Sequence, residues 1–93
     1  MSEPEELTPD QLIDQIKQLR ASDLLLSTIT TLAQLAYAKL DETSRDVEQA
    51  RVAIDAIGAL LPLIRPHVPA ELTRDLDQVL ANLQLAYATA VSA

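Results

Sequence analysis

The chain has 93 residues, of which 14 are acidic and seven are basic, giving a net charge of −7. This charge repels phosphate backbones and argues against nucleic acid as a direct ligand. There is no cysteine and only one histidine, His67, so disulfides and thiol chemistry are excluded and a zinc site would need carboxylates.

The length indicates one domain with a marginal core, because so short a chain buries only roughly 60% of its unfolded surface. Association is the remaining common route to stability once disulfides and metals are set aside. We therefore expect a homodimer. Residues 1–6 are predicted to form a flexible acidic tail, and residues 7–93 a single helical-bundle domain.

The N-terminal residues carry three glutamates and no apolar run, which is not the pattern of a secretory signal. No uncharged stretch reaches the roughly 20 residues of a membrane-spanning helix. We expect a cytoplasmic protein without a membrane span.

The first predicted helix has a detailed start. Thr8 is suited to the N-cap position, Pro9 to the first helical position, and Gln11 completes a capping box. The stripe typical of an amphipathic surface helix follows, formed by Leu12, Ile13, Ile16 and Leu19. Whether this helix turns near Ala21 or continues into the next is left open.

The second helix is predicted from residues 24–38, none of which is charged. Such a helix is apolar over most of its circumference, so we expect it to be the central one, capped by Ser22 and ending near Leu40. Its hydroxyl residues are expected either to bond to their own helix carbonyls or to line a cavity; they are Ser27, Thr28, Thr30 and Thr31.

A seam of apolar residues in alternating steps of three and four predicts the third helix. Thr43 or Ser44 is expected to cap this helix. Pro62 lies inside this pattern four residues after Gly58, the only glycine, which predicts a tolerated kink. Pro66 is expected to end the helix by moving Arg65 out of helical angles. The seam consists of Val47, Ala50, Ile54, Ile57, Leu61 and Ile64.

The fourth helix is predicted to start at Pro69 and Ala70. The segment 34–38 recurs as residues 84–88, each reading Gln-Leu-Ala-Tyr-Ala. Either an ancient duplication or convergence on residues that favour helices explains this repeat. The fold class that we predict is therefore all-α: a small antiparallel bundle of three main helices plus a short N-terminal helix, in an oligomer.

Three segments carry a resemblance to a known family: residues 26–40, residues 50–55 (Ala-Arg-Val-Ala-Ile-Asp) and residues 83–87 (Leu-Gln-Leu-Ala-Tyr). From about Arg20 to Tyr87 the chain resembles the bacterial family of small helical proteins called domain of unknown function 1844. The resemblance implies no activity. Some relatives are associated with genes for translation initiation and ribosomal proteins.

Arg51 and Asp55 are the polar residues of the shared motif, and their i, i+4 spacing lets them pair on a helix. The pair is either a simple surface feature or an anchor in a subunit interface. His67 lies in a turn without a partner for nucleophilic catalysis, so we expect an exposed loop histidine. We predict no catalytic residue, no cofactor site and no metal site.

These observations predict a non-enzymatic interaction module that self-associates and recruits a basic protein partner. The alternative is a binder of a small apolar ligand or lipid in the bundle core. An enzyme built on converging carboxylates is disfavoured, because the acidic residues lie on outer faces. The predicted interface comprises Leu25, Ile29, Leu32, Ala36, Arg51, Ile54, Asp55 and Ile57.

Overall fold

The computed structural model describes residues 8–92, and this part of the chain forms four α-helices and two 3-10 turns without a strand. The all-α prediction is therefore confirmed. The predicted tail at residues 1–6 lies outside the described residues, as do Leu7 and Ala93. The helices are α1 (Pro9–Gln18), α2 (Ala21–Leu40), α3 (Val47–Ile64) and α4 (Ala70–Ser92), and the turns are Glu42–Ser44 and Arg65–His67.

The capping box predicted for α1 is confirmed. The Oγ1 atom of Thr8 accepts a hydrogen bond from the backbone N–H of Gln11 at 3.2 Å, and Thr8 N–H donates to Gln11 Oε1 at 2.9 Å. The helix ends at Gln18, and both Leu19 and Arg20 have extended backbone angles. This two-residue break answers the open question: α1 and α2 are separate helices.

The predicted cap of α2 is wrong. Arg20 occupies the N-cap position without a side-chain hydrogen bond, and Ser22 is instead a buried residue inside the helix. The extended backbone of Arg20 lets its carbonyl accept from Asp23 N–H at 3.0 Å and from Leu24 N–H at 3.2 Å. The helix therefore begins at Ala21, two residues earlier than a cap at Ser22 would allow.

The predicted cap of α3 is also wrong, because Thr43 and Ser44 are used in the preceding 3-10 turn. Asp41 caps that turn by accepting from Thr43 N–H at 3.1 Å. Asp46 caps α3 itself by accepting from the N–H of Gln49 at 3.2 Å. Asp41 and Asp46 thus share the capping role that the sequence predicts for a single residue, Thr43 or Ser44.

The predicted seam of α3 is confirmed, since all its members are buried except the half-buried Val47. α3 packs against both α2 and α4, and each of these contacts is more extensive than the one between α2 and α4. The expectation that α2 is the central helix is therefore corrected in favour of α3. α2 remains partly open to solvent at Leu24, Leu35 and Tyr37.

α3 runs without interruption past Pro62 and ends at Ile64. Pro66 does not move Arg65 out of the helical region, contrary to our expectation: Arg65 has φ −49° and ψ −45°. The chain continues directly into a 3-10 turn whose first positions accommodate Pro66, because proline there needs no N–H donor. The 3-10 turn Arg65–His67, which is wound more tightly than an α-helix, thus leads from α3 towards α4.

Replacing Ile57 by alanine should destabilise the bundle by about 2–5 kcal/mol, because its side chain is 1% exposed at the centre of the core. The matched control is Val52→Ala on the same helix, where the side chain is 57% exposed. Urea unfolding followed by circular dichroism measures both. Equal losses in the two variants would contradict this core.

Replacing Gly58 by alanine should stabilise the protein by about 0.5–1 kcal/mol, because glycine in a helix interior is unfavourable. A Cβ atom at this position would lie 3.9 Å from Leu80 Cδ2, which is an ordinary contact. The neighbouring exposed variant Ala59→Gly is the control and should lose a similar amount. A loss of stability in Gly58→Ala would instead show that the turn before Pro62 requires glycine.

Candidate functional site

Half of the predicted interface residues are used inside the protomer. Ile29, Ala36, Ile54 and Ile57 are all buried in the core formed by α2, α3 and α4. A second protein cannot reach Ile29, Ala36 or Ile57 while this fold is kept, and Ile54 is only 6% exposed, at the floor of a surface cavity. Leu25 and Leu32 are partly buried against the same core, so little of their surface is available either.

The Arg51–Asp55 pair does lie on the surface. Arg51 Nε is 3.7 Å from Asp55 Oδ2, and the two side chains are 63% and 70% exposed. Together with Ile54, Gln84 and Tyr87 they line a cavity of about 160 Å³ between α3 and α4. The structure therefore brings together the second and third segments on which the family resemblance depends.

This cavity is lined by four polar side chains that can recognise a partner, together with Ile54. An exposed ion pair at this distance contributes only a few tenths of a kcal/mol, since both charges remain in water. A partner's surface can form hydrogen bonds with the guanidinium of Arg51, the carboxylate of Asp55, the amide of Gln84 and the phenol of Tyr87. The pair is a candidate contact for a protein partner.

A stronger ion pair joins the end of α3 to α4, and the sequence analysis did not find it. Arg65 donates from Nη1 to Asp77 Oδ2 at 2.9 Å and from Nη2 to Asp77 Oδ1 at 2.6 Å. These hydrogen bonds hold the pKa of Asp77 below its ordinary value of 3.8 and raise the pKa of Arg65. Twelve residues separate the partners, so no helical spacing indicates the contact.

The most prominent open surface is the apolar face of α1, formed by Leu12, Ile13, Ile16 and Leu19. These four side chains are between 45% and 64% exposed, and no residue of α1 is buried. α1 makes no extensive contact with another described helix. The predicted amphipathic stripe exists, but it does not cover the core as such a stripe usually does.

A second open surface is a groove of about 510 Å³ between the end of α2 and the C-terminal half of α4. Its charged residues are Glu42 and Arg45, and its apolar part is formed by Leu40, Leu85, Ala86 and Ala90. A smaller cavity of about 300 Å³ lies near the start of α2 and includes His67, which is exposed as predicted. These grooves are shallow regions of the surface rather than part of the core.

Within residues 8–92, no three histidine, aspartate or glutamate side chains come close enough together to hold a metal ion. No helix in this range is both long and apolar enough to cross a bilayer. Comparison with protein-family models, with curated proteins and with solved structures finds no match to the chain.

The Arg65–Asp77 pair should make the stability depend on pH. A carboxylate whose folded pKa is lowered stabilises the fold above its unfolded pKa, and this contribution is lost as the pH falls through the folded value. Asp77→Asn should therefore lower the urea midpoint at about pH 7 and make little difference at about pH 2. Thermal or urea unfolding across this range provides the measurement.

Asp75→Asn is the matched control, because it removes the same charge from the same helix at an exposed position. Its unfolding midpoint should stay close to that of the unmodified chain at each pH. If both variants behave alike, net charge rather than the pair with Arg65 accounts for the effect.

Proposed function

We propose that this protein is a non-enzymatic helical interaction module that self-associates as a homodimer and recruits a basic protein partner. What supports this proposal most directly is the uncovered apolar face of α1. Exposed apolar residues are ordinary when scattered, but four large ones in a single stripe indicate an interaction site. The proposal includes a cytoplasmic location and an antiparallel arrangement of the three main helices.

Covering this face favours association. Full burial of a leucine or isoleucine side chain is worth roughly 1.5–3 kcal/mol. Since each of the four is about half exposed, a partner gains roughly 1 kcal/mol from each, before the cost of ordering is subtracted. This sum suits a reversible contact rather than a permanent one.

A basic partner is favoured by the net charge of −7. A negative surface attracts positively charged proteins, repels nucleic acid, and gives an interaction that weakens as salt is added. The exposed Asp55 beside Tyr87 is one place where a basic side chain could be bound. Membership of the family that the sequence resembles would add no activity to this picture.

The alternative, a binder of a small apolar ligand or lipid, is better placed in the groove between α2 and α4 than in the core. The groove volume of about 510 Å³ lies within the range of known ligand sites. Two of the four hydroxyls predicted as a possible ligand wall are occupied, since Thr28 and Thr30 donate to their own helix carbonyls at 2.8 and 3.0 Å. Lipid found by mass spectrometry in the purified protein would favour this alternative.

Light scattering should return twice the chain mass of 10.1 kDa at high micromolar concentration, and a value that falls on dilution. The apolar face of α1 is the reason, because its burial is favourable only when a second molecule is present. A mass of 10.1 kDa across the whole micromolar range would refute the self-association part of the proposal.

A further inference from the structure

We propose that the start of α2 forms a binding site for a small phosphate monoester. The site is the cavity of about 300 Å³ that includes His67, and none of its lining residues belongs to α1. The proposal goes beyond self-association and does not depend on it, so a monomeric chain should bind the ligand equally well. The lining residues are Arg20, Ala21, Ser22, Leu25, Leu63 and His67.

Two backbone N–H groups at this end of α2 have no acceptor among the described residues. Arg20 occupies the N-cap position without a side-chain hydrogen bond, and its carbonyl accepts from Asp23 and Leu24. The N–H groups of Ala21 and Ser22 form no hydrogen bond to a described residue. Free N–H groups at the start of a helix, together with the positive end of the helix dipole, favour the binding of an anion.

The side chain of Ser22 is the second observation that indicates a ligand. Ser22 is only 8% exposed, and unlike Thr28 and Thr30 on the same helix it donates to no described carbonyl. No fully enclosed side-chain nitrogen or oxygen in residues 8–92 lacks a partner, so the Oγ atom of Ser22 must keep access to the cavity that it lines. A hydroxyl buried this deeply is normally paired, and an acceptor in the cavity would pair it.

The lining residues carry positive charge and no negative charge. Arg20 contributes a guanidinium, which can bind a phosphoryl group through two parallel N–H donors. His67 contributes an imidazole, which has an N–H donor in either protonation state. Asp23 lies in the first turn of α2 but does not line the cavity. The donors therefore converge on an anion although the net charge of the chain is −7.

That net charge opposes a nucleic acid more strongly than it opposes a single phosphate. A nucleic acid brings many phosphates against the charge of the whole chain. One small phosphate instead interacts mainly with the groups nearest to it, because the other charges are screened beyond about 10 Å at moderate salt. The site can therefore bind an isolated phosphoryl group on an acidic protein.

The combination of donors and apolar residues favours a phosphate monoester. A phosphoryl group presents three strong acceptor oxygens, so it can accept from the guanidinium, the N–H groups and the hydroxyl together. Leu25 and Leu63 add an apolar wall, and Leu63 is 60% exposed. A volume of about 300 Å³ is at the lower end of the range of small-molecule sites and leaves room beyond the phosphoryl group. The alcohol part of the ligand should therefore be apolar and lie against these leucines.

We expect the phosphate to belong to a soluble molecule rather than to a lipid. The headgroup of phosphatidic acid offers the same phosphoryl group. A bilayer that contains this lipid is negatively charged, and it repels a chain with a charge of −7. A soluble monoester meets no such barrier.

Phenyl phosphate is the probe for this site, added to the full chain at about pH 7.5, where a phosphate monoester is mostly a dianion. Nitrogen–proton correlation NMR should show saturable shifts that are largest for the amides of Ala21 and Ser22. The dissociation constant should be on the order of 1 mM, as expected for a small ligand in an open cavity. The absence of saturable shifts below about 10 mM, or shifts centred on another surface, would contradict the site.

Arg20→Gln tests the guanidinium and should weaken phenyl phosphate binding about tenfold, because a hydrogen bond from a charged donor is lost. Lys39→Gln is the matched control. It removes the same charge from the other end of α2, about 28 Å away along the helix, and should leave the dissociation constant within about twofold. Equal weakening in the two variants would assign the effect to net charge and overturn the site.

Ser22→Ala tests the hydroxyl and should weaken binding about fivefold. Ser27→Ala, at an exposed position on the same helix, is its control and should have no effect. Ser22→Ala should keep or raise the urea midpoint, because it removes a buried hydroxyl without a partner. A lower midpoint would mean that the hydroxyl is paired within the fold. That result, or an unchanged affinity for phenyl phosphate, would refute its role in the site.

Inorganic phosphate tests the apolar wall. It should bind several-fold more weakly than phenyl phosphate, because it places nothing against Leu25 and Leu63. Leu63→Gln should reduce the affinity for phenyl phosphate to that for inorganic phosphate without changing the latter. If the two ligands bind equally to the unmodified chain, the preference for a monoester is wrong.

Vesicles of phosphatidylcholine, with and without phosphatidic acid, distinguish the two sources of the phosphate. The chain should sediment with neither kind of vesicle while it binds phenyl phosphate in solution. Sedimentation that requires phosphatidic acid and is lost in Arg20→Gln would overturn the soluble source and identify the ligand as a lipid headgroup.

Discussion

The structure depends on the packing of the buried face of α3 against two helices at once. Small residues at Ala50 and Ala53 bring the neighbouring helices close, and Ile57, Leu61 and Ile64 fill the space between them. This is how a chain with two aromatic residues and no disulfide forms a core. The requirement for close approach explains why the middle of α3 is formed largely by alanine and branched aliphatic residues.

The same packing explains why α1 lies outside the core. The core between α2, α3 and α4 is complete without it, since no residue of α1 contributes a buried side chain. The extended conformation of Leu19 and Arg20 then separates α1 from the helix that follows. A segment with its own capping box and an intact apolar stripe is therefore a well-defined helix with no described surface to cover. The proposed dimer supplies that surface.

Features set by neighbouring residues could be predicted from the sequence. The capping box at Thr8 and Gln11 and the seam of α3 both depend on residues within a turn or two. The capping errors have a related cause: hydroxyls and carboxylates compete for the same N–H groups, and the choice of Asp46 over Thr43 depends on where the 3-10 turn ends. Spacing alone does not contain that information.

Features set by tertiary contact could not be predicted in this way. An apolar stripe does not say whether it faces its own chain or another, so the sequence predicts an interface at Ile29 and Ile54, which the protomer buries. The repeated segments show the same limit: Tyr37 is exposed while Tyr87 is half-buried beside Arg51, despite identical neighbours. Arg65 and Asp77 meet only because α3 and α4 pack against each other in the folded chain.

Self-association of a chain with a charge of −7 has to overcome repulsion between the copies, and this makes the effect of salt informative. Salt screens the repulsion between two copies of equal charge, which strengthens a dimer. Binding of a basic partner depends instead on attraction between opposite charges and must weaken steadily as salt is added. The two parts of the proposed function therefore differ in a property that follows from the charges alone, before any partner is identified.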